Sequence, residues 1–433
     1  MTFPLPALRR TDGPHKNKTN KMLPLHYLYM RKTATSHGSQ IFCCRFLSLC
    51  LVSFLFLLSP MVAKPQFRLG DERTEIYLPL LEGKRVALFS NHTGCNQRGE
   101  HVLDVLLQHG VRVTTLFSPE HGFRGTADAG EHVKSGVDDR SGLPIVSLYD
   151  AGRGGPATAV MQKFDVLLVD IQDVGLRYYT YYITMLRLME RCGQCGRDVV
   201  VLDRPNPNGH FVDGPLLDMK LRSGVGALPI PIVHGMTLGE LALMAQGEGW
   251  VKAFCRLTVV PCEGYSRQMF FAPAVAPSPN LPDMRSILLY PSTCCFEGTC
   301  VSLGRGTDAP FQMYGHPRME GDFSFTPVSR SGAKNPPLQG QVCHGVSLQG
   351  LSMRALWRMR RVNLSYVVDA FRRMGQPQDF FLRSGDFFDK LMGQRYVREM
   401  ILSGHAAEEI EARWRADVEA FCVQRRPYLL YDE

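Results

Sequence analysis

Signatures of metal and nucleotide chemistry are missing from this chain. No HExxH pairs two histidines at helical spacing, and no GxGxxG follows the first strand-like run, so neither a zinc hydrolase nor a dinucleotide enzyme is indicated. Gly304-Arg305-Gly306-Thr307 lacks the spaced glycines and the lysine of a phosphate loop. No GxSxG elbow and no ordered Ser/His/Asp set stands out, and there is no internal repeat. An excess of one charge is absent too. The formal +8 comes mostly from residues 1–63, which hold eight of the 49 Lys and Arg and one of the 41 Asp and Glu; the remainder carries 41 basic and 40 acidic groups. Nucleic acid is therefore not an indicated partner. Ten cysteines fall after residue 63 without a regular disulfide framework, Cys192/Cys195 and Cys294/Cys295/Cys300 being the clusters. Cys192-Gly-Gln-Cys195 follows a helical stretch instead of opening one, where a dipole would lower a thiol pKa, so a redox role is not favoured.

What is present begins with a leader. Arg31, Lys32 and Arg45 precede Phe46 to Met61, an uncharged apolar segment, and Ala63 stands before Lys64 as a cleavage residue. This pattern predicts a signal peptide, an exported mature protein starting near Lys64, and no stable membrane association after cleavage. An uncleaved anchor is the alternative, although the apolar run falls short of the roughly 20 residues of a spanning helix. Residues 1–29 precede a second possible start at Met30 and are basic and unpatterned. The other 370 residues suffice for a substantial core, divided here into domains at 64–249 and 250–433.

Strand and helix patterns alternate through the first of these. Strands are predicted over Arg85 to Asn91, Val111 to Phe117, Ile145 to Tyr149, Asp165 to Ile171 and Asp198 to Asp203. Helices are predicted over Val102 to His109, Tyr178 to Arg191 and Leu238 to Gln246, and near Thr158 to Lys163. Such alternation predicts an α/β fold with a mostly parallel sheet covered on both faces. The loops after the strands hold Asn91-His92, Glu120-His121 with Arg124, Asp170 to Arg177 including Gln172 and Asp173, and Asp203-Arg204-Pro205-Asn206. Turns call for Gly, Pro, Asn and Asp but not for His, Glu and Arg, so this cluster on one sheet edge points to a ligand site.

Beyond Trp250, Arg256 to Pro261 is a further strand, and APAVAPSPNLPD is an ordered loop crossing a surface. Tyr290 to Phe311 is dense in polar groups, with Glu297, Ser302, Arg305, Thr307 and Asp308 among glycines that let backbone approach a ligand. From Leu351 the chain is helical in character, with Ser365 to Met374 and Ala406 to Phe421 amphipathic. His92, His121 and His234 lie on separate loops without metal-ligand spacing, so no metal or other cofactor is expected.

Several of these segments, in this order, resemble the exo-β-N-acetylmuramidases of glycoside hydrolase family 171. They are Asn91-His92-Thr93-Gly94, Ser118-Pro119-Glu120-His121-Gly122, Asp170-Ile171-Gln172-Asp173-Val174-Gly175 with Arg177-Tyr178-Tyr179, Asp203-Arg204-Pro205-Asn206-Pro207, His234-Gly235-Met236-Thr237, and Phe296-Glu297-Gly298 with Gly304-Arg305-Gly306-Thr307. The likeness runs from about Leu69 to Tyr431, with Cys294-Cys295 a departure that bears on packing. It implies a Rossmann-like amino-terminal domain, a smaller carboxy-terminal α/β domain, and a cleft between them that removes N-acetylmuramic acid from non-reducing ends of peptidoglycan fragments in cell-wall turnover.

Glycoside cleavage needs a proton donor and a second group that traps or stabilises an oxocarbenium-like centre, usually two carboxyl groups. Glu120 is the acid candidate; Glu297, Asp170 and Asp173 compete for the second role unless the substrate's acetamido group supplies it. Arg124, Arg177 and Arg305 are candidates for the lactyl carboxylate of muramic acid. Asn91, His92, His121, Gln172, Asp203, Arg204, Asn206, His234 and Thr307 complete the expected binding set. Two rivals share the loops: an exported sugar- or muropeptide-binding protein without catalysis, against which the surplus of carboxylates argues, and an amidase, which needs a metal or activated nucleophile that the sequence does not offer.

Overall fold

The computed structural model describes residues 66–119, 122–124, 135–148 and 155–433. Residues Lys64–Glu433 form one compact unit. Its centre is a seven-stranded sheet of β1 (Arg85–Ser90), β2 (Arg112–Ser118), β3 (Gly136–Val137), β4 (Pro144–Ser147), β5 (Val166–Asp170), β6 (Asp198–Leu202) and β7 (Leu257–Val260), in the order β3-β4-β2-β1-β5-β6-β7. Every pairing is parallel except β3 with β4.

The sheet is parallel because its strands are apolar on both faces. All five residues of β5 are buried, and neighbouring positions divide between two cores. Ala87, Phe89, Phe117, Leu167 and Val169 join the core that includes the helices Tyr181–Gln194 and Leu238–Gly247. Val86, Leu88, Leu116, Val166 and Leu168 face Tyr77 and Leu81 of the helix Thr74–Leu81 and Leu103 and Leu106 of the helix Val102–Gln108. A strand covered on both sides has no polar face, which is why these runs are continuous and not alternating.

The chain moves outward from β1 through β2 and β4, then returns to β5 on the other side of β1. The carboxyl ends of β1 and β5 thus flank a topological switch point, where open α/β sheets gather ligands. Strand β7 carries this sheet past residue 250.

A second, smaller sheet is antiparallel, β8 (Met313–His316), β9 (Phe323–Phe325) and β10 (Cys343–Ser347) in the order β8-β10-β9. Short helices follow to the carboxyl end. The helix predicted from Tyr178 begins at Tyr181, because Tyr178 and Tyr179 donate their hydroxyls to carbonyls of Tyr290, Pro291 and Pro277. The amphipathic stretch after Ala406 divides into Ala407–Ala412 and Arg415–Arg425 at Trp414, whose buried indole donates to Asp213 at 2.8 Å.

Candidate active site

Three loops meet at the switch point, and most of their polar side chains bond to one another. Arg204 sends Nε to Asp170 Oδ1 at 2.6 Å and Nη2 to Asp170 Oδ2 and Asp71 Oδ2, both at 2.8 Å, while Nη1 reaches the Cys95 carbonyl at 3.0 Å. The group is buried, and burial pushes the Asp71 carboxyl up to about 7 against the pull of Arg204. Asp170 is fully enclosed with both oxygens bound by Arg204, so the expectation that it acts on a substrate gives way to a structural role. Arg204 is corrected in the same way.

Asn91 is equally committed. Its Oδ1 accepts from Thr93 N and Oγ1, and its Nδ2 donates to Tyr181 Oη at 3.0 Å. Thr93 Oγ1 accepts from Gln172 N, and Gln172 Nε2 donates to the carbonyls of Asp173 and Pro205. His92 Nε2 lies 3.0 Å from the Ala276 carbonyl.

Behind β6, Asp203 accepts from Thr237 Oγ1 at 2.7 Å, Gly239 N at 2.9 Å and Tyr431 Oη at 2.6 Å. Burial raises its pKa to about 6. Asn206 donates to the Met236 carbonyl and accepts from Asn208 N, against Gly175, whose φ of 76° and closeness to Asn206 Nδ2 leave no room for a Cβ. His234 is enclosed, accepts from Met236 N, and is held neutral, its pKa down to about 3, by burial and by Arg425, Arg267 and Arg177. Asp203, Asn206 and His234 therefore hold loops together and do not face an open cleft.

Of the three candidate arginines, Arg177 is fully buried and donates to the carbonyls of Pro215, Ile230 and Leu391 at 2.6 to 2.9 Å. It cannot reach a substrate carboxylate from there. Arg124 makes two parallel bonds to Asp138, at 2.9 and 2.8 Å, and lies over Phe123. Arg305 is different: Nε and Nη2 donate to Glu297 Oε1, at 3.3 and 2.6 Å, while Nη1 has no partner among the described residues. Its guanidinium also lies 5.1 Å from the centroid of Phe311.

Glu297 and Arg305 line a cavity of about 310 Å³ with Tyr178, Tyr179, Tyr181, Tyr290 and Phe311. Both halves of the chain build it, the tyrosines at 178–181 from the start of the helix Tyr181–Gln194 and the ion pair from the segment after the helix Met284–Thr293. Glu297 Oε2 carries no hydrogen bond among the described residues, and the side chain is a quarter exposed. Thr307 does not join it as a binding group; its hydroxyl donates to the Gly304 carbonyl at 2.7 Å and shapes the turn. The aromatic lining is what the sequence cluster Tyr178 to Tyr182 signals and the expected binding set omits.

Asp173 is buried and does not line this cavity. One oxygen accepts from Gly175 N at 2.7 Å, the other is buried without a partner, and burial raises the pKa to about 7. Glu120 and His121 lie outside the described residues. On either side of them, Gly122 N donates to the Pro119 carbonyl at 3.2 Å, just past the end of β2. Among the described residues no group of three His, Cys, Asp or Glu is placed to hold a metal ion, and no helix is long and apolar enough to cross a membrane.

Residues 86–285 match the family model for the amino-terminal part of exo-β-N-acetylmuramidase NamZ, and residues 288–431 match the model for its carboxy-terminal part. The chain belongs to the NamZ exo-β-N-acetylmuramidase family. A curated relative, the peptidoglycan β-N-acetylmuramidase NamZ of Bacillus subtilis, is 37% identical over 387 residues, covering 85% of this chain and 92% of its own. Crystal structures of two DUF1343 family proteins from Bacteroides fragilis superpose with TM-scores of 0.78 and 0.71 at 53% and 28% identity. They cover 85% and 84% of this chain and 99% of each of theirs. The NamZ family membership and the α/β architecture agree with the resemblance carried by the sequence motifs. The two family models meet between residues 285 and 288, inside the helix that leads to Glu297.

Proposed function

We propose that this chain is an exo-acting glycosidase that releases N-acetylmuramic acid from the non-reducing ends of peptidoglycan fragments, muropeptides and muramyl disaccharides among them. The observation that carries the reading is the Glu297 carboxylate. Its side chain lines an aromatic cavity, with one oxygen held by Arg305 and the other without a hydrogen bond among the described residues, in keeping with what a sugar ring requires of a hydrolytic site: apolar faces to stack on and a fixed carboxylate beside the anomeric carbon. Engaged as an acceptor, Glu297 suits the role of nucleophile, base or charge stabiliser. The proton donor is Glu120, which follows β2 in the sequence. Arg305 Nη1 is the free guanidinium terminus, and it takes the lactyl carboxylate that distinguishes muramic acid from its unsubstituted analogue.

A sugar-binding protein without catalysis accounts less well for an ion-paired, half-open carboxylate in the cavity wall. The leader pattern supports export to a periplasmic or extracellular compartment, where peptidoglycan fragments are found.

The test is turnover of a chromogenic N-acetylmuramic acid glycoside and of an alkyl-linked or natural disaccharide. Glu297→Gln should lower turnover on both, while Glu120→Gln should cost about 10²- to 10⁴-fold on the disaccharide and much less on a nitrophenyl glycoside, whose leaving group needs little protonation. No hydrolysis of either substrate by the wild type would reject the reading.

A further inference from the structure

A second cavity, of about 370 Å³, opens at the carboxyl ends of β1, β5 and β6 and takes no part in the chemistry assigned to Glu297. Thr93, Gln172 and Arg204 line it from the sheet, and Phe67, Phe270 and Phe271 face them. The segment that closes it, 272–275, continues into Ser278 and Asn280, which line the Glu297 cavity on the far side. Between them the strap is fastened by its carbonyls: Ala276 to His92, and Pro277 to the hydroxyls of Tyr179 at 2.8 Å and Tyr181 at 3.3 Å. The two cavities are thus separated by bonded backbone.

The chemistry of the second cavity is neutral. Arg204 is its charged lining residue, and every terminal nitrogen of that guanidinium already sits on a protein acceptor, Nη1 on the Cys95 carbonyl and Nη2 on Asp71 and Asp170. What remains open is amide oxygen. Gln172 uses Nε2 on two carbonyls and leaves Oε1 without a donor; Gln97 uses Nε2 on Phe67 O and Glu72 and likewise leaves Oε1. Opposite them Phe270 is 49% exposed, held edge-on to Trp357 with ring centroids 5.2 Å apart. Uncharged acceptors facing an exposed aromatic ring fit a ligand with hydroxyl and amide N–H donors on one edge and an apolar face on the other. Among the described residues a carboxylate finds no free cation there.

We propose that this switch-point cavity is a second carbohydrate site, which holds a neutral N-acetylhexosamine unit apart from the ring being cleaved. Its ligand class rests on the glycan-directed reading above. The site gives the protein a hold on the glycan portion of a fragment that lacks the lactyl acid.

The test uses the full mature chain, titrated calorimetrically with N-acetylglucosamine and its β-1,4-linked dimer, alone and with N-acetylmuramic acid at saturation. Expected are saturable binding of the dimer that persists in the presence of N-acetylmuramic acid, and a loss of about three- to tenfold in affinity in Phe270→Ala, a change at an exposed ring. Gln172→Ala is the second variant and should weaken the same binding, with intrinsic tryptophan fluorescence, to which Trp357 beside Phe270 contributes, compared between wild type and Gln172→Ala. Absence of saturable dimer binding, displacement of the dimer by N-acetylmuramic acid, or unchanged affinity in Phe270→Ala would overturn the proposal. Hydrolysis is measured separately: a protein that binds the dimer through Phe270 yet leaves the chromogenic muramic acid glycoside intact keeps this site and loses the proposed function.

Discussion

Replacing Asp173 by Asn removes a carboxylate that the fold holds at a cost. Its pKa is raised from 3.8 to about 7, first by burial, with the backbone N–H groups of Gly175, Val174 and Tyr182 opposing the shift. A raised folded-state value means that the native protein binds the proton more tightly than the unfolded chain. The resulting stability is fully present below the unfolded pKa and is lost as pH rises through about 7. Three units at about 1.4 kcal/mol each set the scale at ~4 kcal/mol, an upper bound for a group with one satisfied oxygen. Asn keeps the acceptor for Gly175 N and adds no charge. Thermal unfolding of Asp173→Asn against wild type should therefore show stabilisation of a few kcal/mol at pH 8, shrinking to near zero by pH 4. Turnover on a muramic acid glycoside, measured on the same samples, separates a buried strain from a catalytic group. Equal stability changes at both pH values would refute the electrostatic account, and a stabilised variant without activity would return Asp173 to the reaction.

Other outcomes follow from the arginines and the leader. Arg305→Ala should weaken muramic acid substrates more than N-acetylglucosamine analogues, by roughly 10- to 100-fold for one charge-assisted bond, as read from kcat/KM on the pair. Arg177→Ala should instead unfold at lower denaturant with equal losses on both sugars, costing at least ~3 kcal/mol because three buried carbonyls lose their donor. Amino-terminal sequencing of the exported protein should begin near Lys64; intact chain recovered from the cytosol with residues 1–63 attached would reject export.

The parallel core is legible because burial on both faces leaves its mark residue by residue, as in Val166–Asp170, and the strand ends fall within a residue or two of their predicted places. The small antiparallel sheet is hidden. Its strands contain glycines where backbone packs on backbone, such as Gly345, where a Cβ would lie 2.0 Å from the Tyr314 carbonyl, and glycine depresses any strand signal. Prolines disguise the helices Thr74–Leu81 and Met284–Thr293, which contain Pro79 and Pro291.

At the site, residue types are visible but partners are not. Arg204, Asp203 and Asn206 look like substrate ligands until their own partners are seen, Asp170 34 positions before Arg204 and Tyr431 228 positions after Asp203. Polar clusters that knit loops and polar clusters that bind ligands have the same composition. Only the distribution of bonded and open atoms, as in Glu297 Oε2 or Arg305 Nη1, tells them apart.

The bond from Tyr431 to Asp203 has a consequence for biosynthesis. Asp203 leaves the ribosome long before Tyr431 is made, and Leu430 N and Tyr431 O also close on Glu240 and Arg267. A nascent chain can assemble its parallel strands early but holds the loop after β6 in place only once Tyr431 has been made. A nonsense mutation or protease cut just before Tyr431 should therefore yield a product with a loosened switch point, which quality-control proteases would meet as unfinished.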